Sequence, residues 1–254
     1  SRNNLHPSSE TSFHALINRK YVLHVHSTAT IANAISQSSG FDLRKYLDED
    51  FIFVPYCRPG FTLTMEIKKL ILPSTNILVL ENHGLIVAGD DIEDTYKLLL
   101  KIHEKLDLIR NEKLGLDFLE KITNIGGYIH KNTDKYKLFS TQNEKLFSLF
   151  SKSFYPDHVI FLGPGIPTFS EVKEANEFIQ NLKRKNINLP PYLIIKNKGL
   201  FENTLAIPAA KEMIDCFLEV LLRIDLSKSL KFLSNHQESE LLNWDIEIYR
   251  QSIN

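Results

Sequence analysis

Short apolar runs alternate with amphipathic helical segments along this chain of 254 residues, and this alternation restricts the folds open to it. The runs 21–25, 51–55 and 77–80 contain many β-branched and aromatic residues, as buried strands do. After Gly89, apolar residues recur every three or four positions, at Ile92, Tyr96, Leu99, Ile102, Leu106 and Ile109. We therefore predict a helix there, with one face on a sheet and an N-cap at Asp90 or Asp91. Strands that alternate with helices indicate a layered α/β fold.

The chain divides into two predicted α/β parts. Gly126-Gly127 is the best candidate boundary, which predicts a core at 1–125 and a second, accessory α/β unit of comparable size at 126–254. In the second part, 136–139 and 158–162 are predicted as strands and 209–224 as an amphipathic helix. No internal repeat is visible in the sequence.

Composition excludes some classes of function. With 30 basic and 31 acidic residues, the chain has no electrostatic footprint for nucleic acid. Cys57 and Cys216 are too few for a disulfide framework, so reduced thiols are expected. No apolar stretch approaches the roughly 20 residues that span a bilayer, and no signal-peptide pattern is present. We therefore expect a cytoplasmic protein that binds neither membrane nor nucleic acid.

Three histidines carry the strongest chemical signal. His24 and His26 lie two residues apart in the first predicted strand, so both imidazoles face one side of it. His83 follows the apolar run 77–80, in the step Asn82-His83-Gly84. A lone histidine on a strand is more often structural than metal-bound. Three imidazoles on rigid strands, with a fourth position free, are typical of a catalytic zinc site.

The same residues carry a family resemblance. His24-Val-His26, Asn82-His83-Gly84 and the upstream Pro7-Ser-Ser-Glu10 resemble motifs of the class II aldolase/adducin family. The similarity continues through Val54-Pro-Tyr-Cys-Arg-Pro-Gly60 and Leu85-Ile-Val-Ala-Gly89. It implies a layered α/β/α aldolase-type core with a central sheet. It also implies a homo-oligomer, for which a tetramer is the common family assembly.

The resemblance also implies roles for six residues. His24, His26 and His83 match the family's metal ligands, with Zn²⁺ or another divalent metal as cofactor. Glu10 matches the catalytic acid/base, and Ser8 and Ser9 match a pair that holds the substrate phosphate. A cap on the helix predicted at 11–17 is the alternative role for the serines and Glu10, and both roles can hold together.

The implied reaction is cleavage or formation of a C–C bond in a ketose, with a ketose 1-phosphate as the first candidate. A divalent ion stabilises the enediolate, and Glu10 removes and returns the proton. An epimerase is the alternative, but no residue identifies its second acid/base group, although Tyr56 and Arg58 lie in the relevant region. A non-catalytic, adducin-like binding domain is the third hypothesis.

Two features depart from the family pattern. Only Ser1 to His6 precede the Pro-Ser-Ser-Glu motif, where family enzymes carry a Gly-Asn loop and a Ser/Thr-Gly step, so the N-terminal part of the core is expected to be missing. The second half more loosely resembles the region after the aldolase core of rhamnulose-phosphate aldolase/dehydrogenases, at Pro156-Asp157-His158 and Glu240–Glu247. The chain stops at Asn254, so neither the dehydrogenase part nor NAD chemistry is expected.

Overall fold

The computed structural model describes residues 8–35, 43–107, 111, 114–116 and 124–244. The chain forms two compact units, Ser1–Leu108 and Ile109–Asn254, called here the first and the second unit. Both units combine sheets with helices, so the predicted α/β class is confirmed. Within the described residues, no helix has the length and apolar character that a transmembrane segment requires.

The first unit consists of four strands and four helices in the described residues. The strands are β1 (Tyr21–Val25), β2 (Ile52–Val54), β3 (Ile77–Leu80) and β4 (Gly84–Gly89). The helices are α1 (Thr11–Leu16), α2 (Thr28–Ala34), α3 (Phe61–Leu70) and α4 (Ile92–Leu106). The sheet order is β1-β4-β3-β2, in which β2 and β3 run parallel and the other neighbours are antiparallel.

Both faces of this sheet are covered, which gives the three α/β/α layers that the family resemblance implied. Alternate strand residues point to opposite faces. Val79, Leu85 and Val87 pack with buried residues of α2 and α4 on one face. Leu78 and Ile86 pack with buried residues of α1 and α3 on the other.

Helix α4 begins where the sequence predicted. The Asp91 carboxylate accepts hydrogen bonds from the backbone N–H groups of Glu93 and Asp94, both at 3.0 Å. The predicted apolar face was partly wrong, because Ile92 and Tyr96 are exposed. The buried positions are Thr95, Leu99, Ile102 and Leu106.

The second unit contains a five-stranded sheet of order β5-β6-β9-β8-β7. Its strands are β5 (Asn124–Ile125), β6 (Tyr128–His130), β7 (Thr168–Phe169), β8 (Tyr192–Ile195) and β9 (Gly199–Asn203). The described helices are α5 (Glu144–Leu149), α6 (Pro156–Leu162), α7 (Val172–Arg184), α8 (Pro208–Arg223) and α9 (Asn235–Leu242).

Two predicted strands of this unit were wrong. Residues 158–162 lie in α6, where Pro156 occupies a first-turn position that suits its fixed φ and missing N–H. All seven residues of α6 are buried, so its sequence is an apolar run that periodicity cannot distinguish from a strand. Residues 136–139 lie in a 3-10 helix, Asp134–Ser140.

The predicted limit at Gly126-Gly127 differs from the division between the two compact units. These glycines form the turn between β5 and β6, with φ angles of 59° and 105°. Positive φ at both central residues is what a two-residue type I′ hairpin turn requires, so the pair marks a hairpin. The limits 1–125 and 126–254 therefore stay a prediction about domains, whereas the compact units divide at residue 108.

Candidate metal centre

Four side chains from three separate segments of the first unit meet at one place. His24 and His26 lie on β1 and directly after it, and both face the same side because one residue separates them. His83 ends the three-residue turn between β3 and β4, and Glu10 directly precedes α1. The strand-and-turn framework therefore holds the histidines, while the start of a short helix supplies the carboxylate.

The carboxylate of Glu10 lies among the three imidazoles. Its Oε1 is 3.2 Å from Nε2 of His24, 3.8 Å from Nε2 of His26 and 3.5 Å from Nε2 of His83. The ring centroids form a nearly equilateral triangle with sides of 5.0 to 5.1 Å. One possible ligand atom from each of the four residues lies within 4.8 Å of all the others.

A backbone carbonyl orients the His24 ring. Nδ1 of His24 is 3.0 Å from the carbonyl oxygen of Leu85, which can only accept, so Nδ1 carries the proton. With Nδ1 engaged by Leu85, Nε2 is the ring nitrogen that faces Glu10. Phe13 packs edge-on against the ring at a centroid distance of 5.4 Å. Such outer contacts fix the direction in which a ligand nitrogen points.

The turn that carries His83 tolerates little variation. Asn82 has a φ of 54°, in the left-handed region that asparagine adopts more readily than most residues. The backbone N–H of His83 donates to the carbonyl of Leu80 at 3.2 Å. A Cβ at Gly84 would lie 2.4 Å from the carbonyl oxygen of Val25, so glycine allows β4 to approach the strand that carries His24.

The protonation states suit a cation. Burial lowers the pKa of His83 to about 4, so its imidazole is neutral near pH 7 and has a lone pair to offer. Burial acts to raise the pKa of Glu10, but hydrogen bonds to His24, His26 and His83 hold it well below its usual value. The site therefore combines a neutral imidazole at His83 with an ionised carboxylate at Glu10.

This donor set fits a divalent metal. Zinc takes imidazole nitrogens at about 2.0–2.1 Å in tetrahedral geometry, which places the nitrogens about 3.3 Å apart. The four ligand atoms here are already within 4.8 Å of one another, so small side-chain rotations would bring them into range. Imidazole and carboxylate also suit other divalent transition metals, so the donors do not select zinc alone.

The predicted phosphate serines have a local structural role. The hydroxyl of Ser8 accepts a hydrogen bond from the backbone N–H of Glu10 at 3.2 Å, and its carbonyl accepts from the N–H of Thr11. Ser8 is exposed and Ser9 is half-buried. These contacts fix the chain where it enters α1. The N-cap of α1 is Glu10 and makes no side-chain cap hydrogen bond, so the alternative in which a serine caps this helix was wrong. The phosphate role of both serines stays a prediction.

Sequence reasoning missed two supports of the site. The hydroxyl of Ser27, directly after His26, accepts from the N–H of Thr30 at 3.2 Å and lies 2.9 Å from Nδ1 of His103. This caps α2 and ties the end of β1 to α4. Near His83, the buried Glu81 carboxylate accepts from the backbone N–H of Tyr56 at 3.0 Å. The sequence did contain a signal for this contact, because the acidic Glu81 directly follows the all-apolar strand β3.

The first unit is similar to known proteins. Residues 1–108 match the model of the Class II Aldolase and Adducin N-terminal domain. The chain is 30% identical over 111 residues to "Uncharacterized oxidoreductase YuxG" of Bacillus subtilis (strain 168). That alignment covers 43% of this chain but 16% of the relative, so the chain spans a small part of that protein's length.

A solved structure is also similar. It is the N-terminal class II aldolase domain of a conserved protein from Thermoplasma acidophilum, with 28% sequence identity and a TM-score of 0.39. The match covers 42% of this chain and 49% of that one. The match of residues 1–108 to the family model confirms the resemblance to the class II aldolase/adducin family that the histidine motifs predicted.

Proposed function

We propose that the first unit is a metal-dependent aldolase-type lyase that cleaves or forms a C–C bond in a ketose, with a ketose 1-phosphate as its first candidate substrate. The observation that carries this proposal is the placement of the Glu10 carboxylate within 3.2 to 3.8 Å of three imidazole nitrogens. A cation held by those nitrogens would have an anionic proton acceptor beside it.

His24, His26 and His83 would hold the ion through their Nε2 atoms, which converge on one point. When bound, a divalent ion polarises a substrate carbonyl and stabilises the negative charge of an enediolate. The proton that leaves the carbon beside the carbonyl needs an acceptor, and the ionised carboxylate of Glu10 would take this role. The same carboxyl would return the proton in the reverse direction.

Ser8 and Ser9 would bind the substrate phosphate in this proposal. Both lie within two residues of Glu10, so a phosphate there would be close to the proton acceptor. The Ser8 hydroxyl accepts from the backbone of Glu10, which leaves its own proton for a phosphate oxygen. We also propose that the protein is a homo-oligomer and that it is located in the cytoplasm.

The test begins with metal content and proton exchange. Purified protein would be loaded with Zn²⁺, and exchange of the α-proton of dihydroxyacetone phosphate in D₂O followed by NMR. We expect about one metal per chain and measurable exchange, both lost in a His24→Ala/His83→Ala variant. Glu10→Gln should keep the metal but slow exchange by about 10²- to 10⁴-fold, because only the proton acceptor is removed.

The outcomes separate three functions. Exchange followed by condensation with an added aldehyde supports the aldolase. Exchange with inversion of a pentulose phosphate, without cleavage, would identify an epimerase on the same centre. Protein that binds no metal even after reloading, and whose stability is unchanged by His83→Ala, would refute both enzymes and favour an adducin-like binding domain.

A further inference from the structure

The β8–β9 hairpin of the second unit has the same form as the hairpin that carries His83. In each, a buried four-residue strand is followed by a three-residue turn and a glycine, with Leu80 paired to Gly84 and Ile195 to Gly199. The middle turn residue is an asparagine at positive φ in both, 54° at Asn82 and 60° at Asn197. The local sequences are Asn-His-Gly-Leu and Asn-Lys-Gly-Leu.

The rest of each sheet follows the same plan. The order β6-β9-β8-β7 reproduces β1-β4-β3-β2, with one parallel pair at the end and antiparallel pairs elsewhere. In both units, the backbone N–H of the first turn residue donates to the carbonyl oxygen of the last residue of the parallel edge strand. The pairs are Glu81 to Val54 of β2 and Lys196 to Phe169 of β7, each at 2.9 Å. Helices α3 and α7 connect the parallel strands, and α4 and α8 follow the hairpins.

The core residues occupy matching faces. In the first unit, Leu78, Leu80 and Ile86 pack with residues of the connecting helix α3. At the same register positions, Leu193, Ile195 and Phe201 pack with Ala175 and Ile179 of α7. Two sheets with the same order of four strands can still present opposite faces to the connecting helix. That the same face is used in both units is therefore an independent correspondence.

The strand register then assigns equivalents to the metal ligands. His24 pairs with Ile86, the second residue after Gly84, and His130 pairs with Phe201, the second residue after Gly199. His130 therefore stands at the position of His24. Two residues further along each strand, Asn132 stands at the position of His26, because alternate residues share a face. At the end of the hairpin turn, Lys198 stands at the position of His83.

We propose that the second unit is a structural repeat of the first, in which the metal site is reduced to a single histidine, His130. Zinc sites of this type use imidazole, thiolate or carboxylate donors. A lysine ammonium has no lone pair and repels a cation, so Lys198 blocks the position that His83 fills in the first unit. Within the described residues, the group with metal-ligand spacing lies in the first unit.

Restoration of the lost ligands tests the repeat. The background is the full chain with His24→Ala/His83→Ala, so that a metal bound to the first unit does not contribute. Addition of Asn132→His and Lys198→His would place three histidines at the positions equivalent to 24, 26 and 83. Zinc per chain, measured by mass spectrometry after dialysis, should rise from below about 0.1 to about 1. It should fall again when His130→Ala is added.

A matched control places the new histidines one or two residues away. Lys131→His/Lys196→His adds two imidazoles to the same strand end and the same turn, but residue 131 faces the opposite side from His130. This variant should bind no zinc after dialysis. Equal zinc in the two variants, or no gain in the Asn132→His/Lys198→His variant with native circular dichroism, would overturn the correspondence.

A single substitution tests the same correspondence if the Asn132→His/Lys198→His variant does not fold. Lys198→His alone, at a half-buried turn position, gives a pair of imidazoles with His130 and should bind Ni²⁺ more tightly than Lys196→His does. Calorimetric titration with Ni²⁺ measures this difference, and equal affinities would count against the repeat. Because the first unit lacks two of its three histidine ligands in the zinc experiments, their outcome is independent of the reaction proposed for it.

Discussion

The pH dependence of stability in the second unit should depend on His158. This imidazole is fully buried in α6, with ring centroids 4.5 Å from Phe217, 5.7 Å from Tyr155 and 6.1 Å from Phe154. Burial among aromatic rings penalises the charged form and lowers its pKa from 6.5 to about 3. Between these two pKa values, His158 binds a proton in the unfolded chain but not in the folded chain. The free energy of unfolding must therefore fall as the pH falls below 6.5.

The size of this effect follows from the two pKa values. Between pH 7 and pH 5, the unfolded state gains about 2 kcal/mol of protonation free energy that the folded state does not. The free energy of unfolding continues to fall until the pH reaches the pKa of His158 in the folded state, about 3. With a urea m-value of 1–3 kcal/mol/M, the first 2 kcal/mol corresponds to a midpoint shift of about 1 M.

Urea unfolding followed by tryptophan fluorescence measures this shift. The chain has one tryptophan, Trp244, which lies in the second unit. His158→Phe keeps a ring in the cluster but cannot take up a proton, so its free energy of unfolding should fall by about 2 kcal/mol less than that of the wild type between pH 7 and pH 5. His236→Phe is the control, because that side chain is 83% exposed. Equal pH slopes for wild type and His158→Phe would refute the reasoning from burial.

Two further predictions concern the first unit. Gly84→Ala should destabilise it by about 1–3 kcal/mol and weaken zinc binding, because the new Cβ would overlap the Val25 carbonyl. Gly127→Ala is the control, because this glycine has a φ of 105° but no atom within 4 Å of an added Cβ, so the variant introduces backbone strain without overlap. Equal losses of stability in the two variants would refute the argument from overlap. Zinc at 100 times its dissociation constant should stabilise the unit by about 2.7 kcal/mol. A chelator should reverse this thermal shift, and a shift that persisted in His24→Ala/His83→Ala would place the metal elsewhere.

The sequence predicted the framework of the first unit because local signals there agree with tertiary structure. The alternation around His24 places both ligands on one side of β1, and Asp91 caps α4 as its side-chain chemistry requires. The four residues that converge in space are those named from the motifs, although their roles stay proposals. The convergence itself depends on the register of β1 against β4, which no local pattern contains.

The failures have physical causes. The run 158–162 reads as a strand because Val159 and Ile160 favour extended backbone, but a helix buried on all sides satisfies the same apolar residues. Ile92 and Tyr96 are spaced three or four residues from buried positions of α4, but both side chains are exposed. The repeat was invisible because its correspondence is one of strand order and register, with little sequence beyond the Asn-x-Gly turn in common.

The parallel strands β2 and β7 have a consequence for the behaviour of the protein at high concentration. Each lies at the edge of its sheet, where open backbone groups could pair with another chain. Both are short, with three and two residues, and each adjoins a proline, Pro55 after β2 and Pro167 before β7. A proline has no N–H to donate, so it interrupts intermolecular pairing at an edge. Both units are thus protected at this edge against the strand-to-strand association that leads to aggregates.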